Sequence, residues 1–241
     1  MPETLRDREI VLAGGSGGLG QAVAALLAAE GARLIVGFRS NVERARRLES
    51  LGVRLVQADI TLAADRQRLL DAAPALYGLV VLVGEAARVS DGAQWETVLK
   101  RSLEVNLAGP LALAREAAER MQAAGTPGAI VLFSTMQAVG LFPGSLPYAA
   151  PKAGLLHGAR VLAREYRGPA NIRINLVCPG VIAAGMAEAS IASGKYDRYL
   201  REGIIPRFGR AEDVARAVRF LLEPDNYITG QVLVVDGGLT L

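Results

Sequence analysis

The stretch "AGGSGGLGQAVAALLAAEG", residues 13–31, decides the fold. It follows the apolar run "EIVLAG" (9–14), and Gly14, Gly18 and Gly20 form a Gly-x-x-x-Gly-x-Gly pattern before an alanine- and leucine-rich helix. Glycine permits a sharp turn, leaves room for a phosphate group and lets the helix pack closely on the strand. The helix start then offers unpaired N–H groups and a positive dipole end to an anion. This context predicts a dinucleotide-binding turn.

The rest of the chain alternates in the same way between strand-like and helix-like segments. The apolar runs are rich in Val, Ile and Leu and do not alternate with polar residues, which indicates strands buried on both faces of a parallel sheet. These runs span 9–14, 33–38, 53–58, 79–84, 129–134, 172–177 and 231–236. Helical stretches lie at about 18–30, 41–51, 64–73, 95–123, 147–167 and 211–222. We therefore expect one α/β domain over 1–241, a Rossmann-type doubly wound, mainly parallel seven-stranded sheet with helices on both faces.

Composition excludes several classes of function. The net charge is +3, and the densest basic group, "RARRLES" (44–50), is typical of a solvated helix face rather than a nucleic-acid site. No apolar segment is long enough for a membrane span or signal peptide, so a cytoplasmic protein is expected. One cysteine and one histidine exclude an internal disulfide and a Cys/His zinc site, and no metal is expected.

The end of the second strand indicates which dinucleotide binds. An NAD site usually places an acidic residue there for the ribose hydroxyls. This chain instead reads "GFRSN", with Arg39 and Ser40 and no acid. Arg39 can pair with a 2′-phosphate in a bidentate contact, so NADPH is favoured over NADH. The alternative is an ordinary surface arginine.

A second motif, "PYAAPKAG" (147–154), sets Tyr148 one helical turn before Lys152. Residues four apart share a helix face, and a nearby ammonium lowers the pKa of a phenol, which is about 10 when free. Pro151 between them is tolerated if the helix begins near residue 148, because first-turn N–H groups lack intrahelical partners. Alone, this pattern also occurs by chance.

The segment 183–205, "AAGMAEASIASGKYDRYLREGII", interrupts the last α/β unit. We expect a substrate lid, because the segment follows the sixth strand; the alternative is a surface excursion. Met186, Tyr196 and Tyr199 within it suggest a partly apolar pocket.

Together these motifs resemble the short-chain dehydrogenase/reductase family over essentially the whole chain, and most of all its β-ketoacyl-acyl-carrier-protein reductase group. Further segments that carry the resemblance are "ADI" with Asp59, "EVNLAGP" with Asn106, "INLVCPGVI", "PRFGRAEDVARAVRFL" and "YITGQVLVVDGG". The resemblance implies that Tyr148 exchanges a proton, Lys152 also holds the nicotinamide ribose and Asn106 holds a water, unless Asn106 is merely structural. Cofactor contacts are also implied for Ser16, Leu19, Asp59, Ile60, Pro179, Gly180 and Ile182.

The family's third catalytic member is a serine thirteen residues before the tyrosine. That count lands on Thr135, with Ser134 beside it. Neighbouring strand residues point to opposite faces, so both cannot serve unless the strand has bent. Position favours Thr135, whose hydroxyl can still polarise a carbonyl.

Several positions depart from the family pattern. The usual threonine before the first glycine is Ala13, the Asn-Asn-Ala-Gly after the fourth strand reads as "GEAA" (84–87), and a threonine after "PG" is Ala184. Each loss removes a hydrogen bond worth about 0.5–1.5 kcal/mol. Glu85 also brings a carboxylate close to the cofactor.

Two functions follow from these observations. The first is an NADPH-dependent oxidoreductase that reduces a ketone, on a small molecule or an acyl carrier, to a secondary alcohol. The alternative is a dinucleotide-binding protein with little catalysis, acting as a sensor or assembly subunit. By the resemblance, the stretches 95–123 and 147–167 form an interface between subunits, so a homo-oligomer, a tetramer or dimer, is expected. Burial within one subunit is the alternative.

Overall fold

The seven strands form one entirely parallel sheet in a computed structural model that describes residues 4–89 and 92–241. The strand order is β3-β2-β1-β4-β5-β6-β7, so the predicted doubly wound fold is confirmed. The strands are β1 Glu9–Ala13, β2 Arg33–Phe38, β3 Arg54–Gln57, β4 Leu76–Val81, β5 Gly128–Phe133, β6 Ile172–Pro179 and β7 Val232–Val235. The chain leaves β1 and β4 in opposite directions along the sheet, and this switch point opens a crevice at their carboxyl ends.

Helices cover both faces because the strands carry apolar side chains on both. One face buries Leu113 and Leu155 of two long helices, and the other buries Val23 and Val218. The helices are α1 Gly18–Ala29, α2 Val42–Arg46, α3 Ala63–Asp71, α4 Trp95–Leu103, α5 Gly109–Ala123, α6 Leu146–Glu165, α7 Glu188–Ala192, α8 Asp197–Arg201 and α9 Ala211–Leu222.

The fourth strand ends earlier than predicted. The apolar run at 79–84 suggested a strand to Gly84, but β4 stops at Val81, which pairs with Ala13 at the end of β1. Leu82 still donates its N–H to the Ala13 carbonyl, at 2.9 Å, and the side chain of Val83 then lies over the turn at Gly14. The last apolar residues of the run therefore build the site instead of extending the sheet.

Three helical predictions also differ from the structure. The stretch 95–123 is interrupted by a π-helical turn, Glu104–Ala108, which hydrophobic periodicity does not reveal. Helix α6 begins at Leu146, so Pro151 is its sixth residue and lies beyond the first turn. Without an N–H, this proline leaves the carbonyl four residues earlier without its helical hydrogen bond. The stretch 41–51 is the short helix α2 followed by a 3₁₀ turn, Glu49–Leu51.

Gly20→Ala tests the close packing at the start of α1. A Cβ at this position would lie 2.6 Å from the carbonyl carbon and Cα of Gly15, so backbone must shift. We expect the variant to lose about 1–3 kcal/mol of unfolding free energy in urea denaturation without cofactor. Gly92→Ala is the control, because no atom of the residues that the structure describes lies within 4 Å of its added Cβ. Equal unfolding midpoints for the two variants would contradict the prediction.

Candidate active site

The carboxyl ends of the central strands surround a cavity of about 1180 Å³. All predicted site residues line it except Asn106, which is completely buried. The predicted residues that line the cavity are Gly14, Ser16, Gly18, Leu19, Gly20, Arg39, Ser40, Asp59, Ile60, Thr135, Tyr148, Lys152, Pro179, Gly180 and Ile182.

The glycine turn fits the diphosphate of a dinucleotide. Gly14 has a φ of +78°, and a Cβ there would lie 3.0 Å from Val83 Cγ2. A Cβ at Gly18 would lie 2.6 Å from the Gly185 nitrogen, so this side of the turn is closed by the segment after β6. Helix α1 begins at Gly18 with no side chain capping its N-terminal N–H groups. The turn therefore presents uncapped backbone N–H groups to the cavity, and its glycines place no side chain in front of them.

Polar residues at the ends of β2 and β3 line the other end of the cavity. Asp59 Oδ1 accepts hydrogen bonds from the N–H and hydroxyl of Thr61, at 3.0 and 2.7 Å. Partial burial opposes ionisation, but these bonds outweigh it and hold the pKa of Asp59 below its ordinary value. Arg44 also lines the cavity, although the sequence suggested that its basic group faces only solvent.

Arg39 lies here too, but it already has a carboxylate partner. Arg39 Nη1 donates to Glu85 Oε2 at 3.2 Å, and Arg101 Nη2 donates to the same oxygen at 3.4 Å. The side chains of Arg39 and Glu85 are 50% and 41% exposed, so water screens this ion pair. Glu85 is thus neither simply solvent-facing nor remote from the predicted cofactor site.

The side chain of Asn106 fastens the loop that carries Glu85. Asn106 Oδ1 accepts from the Glu85 N–H at 3.0 Å, and Nδ2 donates to the Glu85 carbonyl at 2.9 Å. Nδ2 also donates to Ser102 Oγ at 2.9 Å. The side-chain amide of Asn106 is therefore hydrogen-bonded within the protein, as expected if Asn106 has a structural role. Its predicted contact with a water molecule stays a prediction.

Lys152 is the largest charged group buried at the site, with 1% of its surface exposed. Its Nζ donates to the carbonyl oxygens of Phe133, at 2.8 Å, and Val83, at 3.3 Å. Burial lowers the pKa of Lys152 to about 8 and raises the pKa of the partly buried Tyr148 to about 12. The expected lowering of the Tyr148 pKa is wrong for this structure, because desolvation dominates. The phenol is therefore protonated at neutral pH, and its raised pKa makes it a weaker acid than a free phenol.

The structure separates the hydroxyls of Ser134 and Thr135. Ser134 Oγ donates to the Lys152 carbonyl at 2.9 Å, so it is engaged with the backbone of α6. Thr135 Oγ1 accepts from the Gln137 N–H at 3.3 Å. Because Thr135 accepts this bond, its hydroxyl proton is available to a group in the cavity.

The remaining wall comes from two segments. Met186, Tyr196 and Tyr199 line the cavity, as expected for 183–205, and the two tyrosine rings stack with centroids 6.1 Å apart. The loop 142–145 before α6 lines it too and was missed by the sequence reasoning. Its position just before Tyr148 was the only available signal. Lys195 and Arg198 also reach this wall, each over a tyrosine ring.

Within the described residues, 4–89 and 92–241, no helix is long and apolar enough to cross a membrane. The same part of the chain contains no group of three or more His, Cys, Asp or Glu side chains placed to hold a metal ion.

Comparison with known proteins identifies the class of this protein. A family model described as enoyl-(acyl carrier protein) reductase matches residues 13–240. The chain is 34% identical to 3beta-hydroxysteroid dehydrogenase 1 of Eggerthella lenta, covering 100% of this chain and 97% of that protein. It is 35% identical to carbonyl reductase family member 4 of Danio rerio, covering 98% and 99%. A short-chain type dehydrogenase/reductase from Mycobacterium ulcerans superposes with a TM-score of 0.90 at 29% identity, covering 99% of this chain and 91% of that one.

The chain belongs to the short-chain dehydrogenase/reductase family, which confirms the resemblance. It is an oxidoreductase that acts on CH–OH or C=O groups with NAD or NADP.

The buried lysine predicts a characteristic pH dependence of stability. The unfolded chain binds the Lys152 proton below pH 10.5, whereas the folded chain binds it only below about 8. Stability of the wild type should therefore fall as pH decreases through this interval, by up to about 1.4 kcal/mol per pH unit, and then level off. Lys152→Met should lack this contribution.

Urea unfolding of both proteins between about pH 7 and 10 measures the difference. We expect the wild type to gain stability relative to Lys152→Met as the pH rises. Lys195→Met removes an exposed lysine and should give a curve parallel to the wild type. Parallel curves for Lys152→Met as well would show that burial does not perturb Lys152.

Proposed function

We propose that this protein uses NADPH to reduce a ketone to a secondary alcohol. One observation carries the proposal: Tyr148, Thr135 and the buried Lys152 line the same cavity as the glycine turn. A proton donor, a hydroxyl and an ammonium group thus stand beside the predicted cofactor site. Residues in this arrangement supply geometry and electrostatics, and the bound cofactor supplies the hydride.

Each residue has a distinct task in this reaction. The carbonyl carbon receives a hydride and its oxygen receives a proton, so the C=O π bond becomes one C–H and one O–H bond. Tyr148 gives the proton from its phenol, and Thr135 donates a hydrogen bond that orients the oxygen. Lys152 places a positive charge near the phenol as it loses its proton, which stabilises the developing phenolate.

The preference for NADPH rests on the charges at the end of β2. Arg39 and Arg44 line the cavity there, and the three residues that directly follow the strand, 39–41, include no acid. A guanidinium binds a phosphate through parallel N–H bonds, which supports Arg39 as the partner of the 2′-phosphate. Asp59 and Ile60 lie at the same end of the cavity, where the adenine is expected.

The substrate class follows from the part of the cavity wall that carries large apolar side chains. Phe142, Met186, Tyr196 and Tyr199 make this part of the wall partly apolar, and Tyr199 lies on the short helix α8. We infer that 183–205 acts as a substrate lid over a carbonyl carried on a hydrophobic skeleton or acyl chain. The similar proteins named for a hydroxysteroid and for carbonyls support this class.

We infer that the protein assembles as a homo-oligomer, a tetramer or dimer. Within one subunit, Gly154 and Gly158 of α6 already pack against Leu107 and Leu111, so part of the small-residue surface is used internally. Trp95 and Leu103 of α4 and Val161 of α6 nevertheless remain exposed, which supports an interface through these helices.

The noncatalytic alternative is not favoured. The departures at Ala13, Gly84 and Ala184 leave Tyr148 and Lys152 in the cavity, and the similar proteins are named as enzymes.

Replacement of Tyr148 tests the proposed function directly. Tyr148→Phe removes the proton donor and should lower kcat by at least about 10²-fold, with cofactor binding retained. Turnover is measured as NADPH oxidation with a panel of apolar ketones, and cofactor binding by fluorescence titration. Tyr166→Phe, at the other end of the same helix, is the control and should keep wild-type turnover. Near-full activity of Tyr148→Phe would disprove the assignment.

The two neighbouring hydroxyls should behave differently when replaced. Thr135→Ala removes the proposed carbonyl partner and should lower kcat by about 10- to 100-fold, whereas Thr135→Ser should restore most of it. Ser134→Ala loses the bond to the α6 backbone, so its main effect should be on stability, by about 1 kcal/mol. Urea unfolding and turnover of all three variants separate these effects. If Ser134→Ala lowered kcat and Thr135→Ala did not, Ser134 and not Thr135 would be the partner of the carbonyl oxygen.

A further inference from the structure

Glu85 stands in front of the one residue that is proposed to bind the 2′-phosphate. Glu85 Oε2 lies 3.2 Å from Arg39 Nη1, so the carboxylate occupies part of the hydrogen-bonding face that a phosphate needs. Both residues line the cavity, and Asp59 lies at the same end. An incoming phosphate therefore meets a guanidinium that is already paired and a carboxylate of its own sign.

The fold holds Glu85 at this place. Its backbone N–H and carbonyl are both bonded to the side chain of the buried Asn106, so the residue is clamped from two directions. Arg101 of α4 adds a second cation at 3.4 Å from the same oxygen. The carboxylate thus points toward Arg39 because of the loop and the helix around it, and its position does not depend on one surface contact.

We propose that Glu85 determines cofactor specificity as a built-in competitor of the adenosine 2′-phosphate for Arg39. This inference rests on the proposed use of NADPH. The 2′-phosphate must displace the carboxylate from Arg39 and then lie near it, and the displacement and the repulsion between like charges both weaken binding. A dinucleotide without the 2′-phosphate leaves the ion pair between Arg39 and Glu85 intact. Glu85 therefore narrows the preference for NADPH that Arg39 creates.

The exposure of the pair limits the size of this effect. Half-exposed ion pairs contribute little to stability, so a phosphate dianion can displace the carboxylate. Removal of the Glu85 charge should strengthen NADPH binding by about 3- to 10-fold and leave NADH binding within about twofold. The change in the ratio of the two dissociation constants is the diagnostic quantity.

Fluorescence titration with NADPH and with NADH tests the proposal on the full-length wild type and Glu85→Gln. Gln keeps the size of the side chain, and the Asn106 clamp acts on the backbone, so the loop should remain in place. Glu104→Gln is the matched control. It removes a carboxylate that also faces Arg101, at 3.7 Å, but has no contact with Arg39 among the described residues. We expect the dissociation constant of NADPH to fall relative to that of NADH in Glu85→Gln, and the ratio of the two constants to stay unchanged in Glu104→Gln.

The same substitution in an Arg39→Gln background completes the cycle. Without Arg39, the guanidinium for which Glu85 and the 2′-phosphate are proposed to compete is gone, so Glu85→Gln should change the ratio of the NADPH and NADH dissociation constants much less. The proposal would be overturned if Glu85→Gln strengthened binding of NADPH and NADH equally, or if it weakened binding of NADPH. It would also be overturned if Glu104→Gln strengthened NADPH binding as much as Glu85→Gln does. Wild-type binding of neither dinucleotide at millimolar concentration would overturn the cofactor assignment itself. Since the readout is binding alone, loss of the role of Tyr148 would leave these results unaffected.

Discussion

The buried ammonium of Lys152 is the constraint on which the site depends. A charge removed from water must be hydrogen-bonded, and here the partners are the carbonyls of Phe133, at the end of β5, and Val83, after β4. Carbonyls at the carboxyl edge of a parallel sheet are free because the strands end there. The lysine thus joins α6, which also carries Tyr148, to the end of β5 and to the loop after β4. It lies beside Gly84, where an added Cβ would be 3.5 Å from Nζ.

A second set of contacts connects this centre to the adenosine end. The π-helical turn before α5 carries Asn106, and the amide of Asn106 fastens the loop after β4 at Glu85. The carboxylate of Glu85 reaches Arg39 at the end of β2. The loop after β4 therefore contacts the lysine through Val83 and the predicted 2′-phosphate partner through Glu85. The departures from the family pattern at 84–87 fall in this loop, where Glu85 adds a negative charge and Tyr148 is left in place.

Much of the site was predictable because parallel strands bring their carboxyl ends to one edge. Motifs that follow β1, β2, β3, β5 and β6 must then converge, and every predicted site residue except Asn106 lines the cavity. The titration behaviour of Tyr148 was not predictable, because it depends on how much water the fold removes from the phenol. The partners of Arg39 and Asn106 were also invisible, since Glu85 is 46 residues from the first and 21 from the second.

The alternation of strands and helices, the glycine turn and the helical spacing of Tyr148 and Lys152 can all be read from the order of the residues alone. These features are local: they arise from hydrophobic periodicity, the small size of glycine and the geometry of one helical turn. Only the tertiary structure decided where β4 ends, which of Ser134 and Thr135 binds the α6 backbone, and that Arg39 is paired with Glu85. Those outcomes depend on distances between segments far apart in the chain and on the burial of polar groups, which no local pattern encodes.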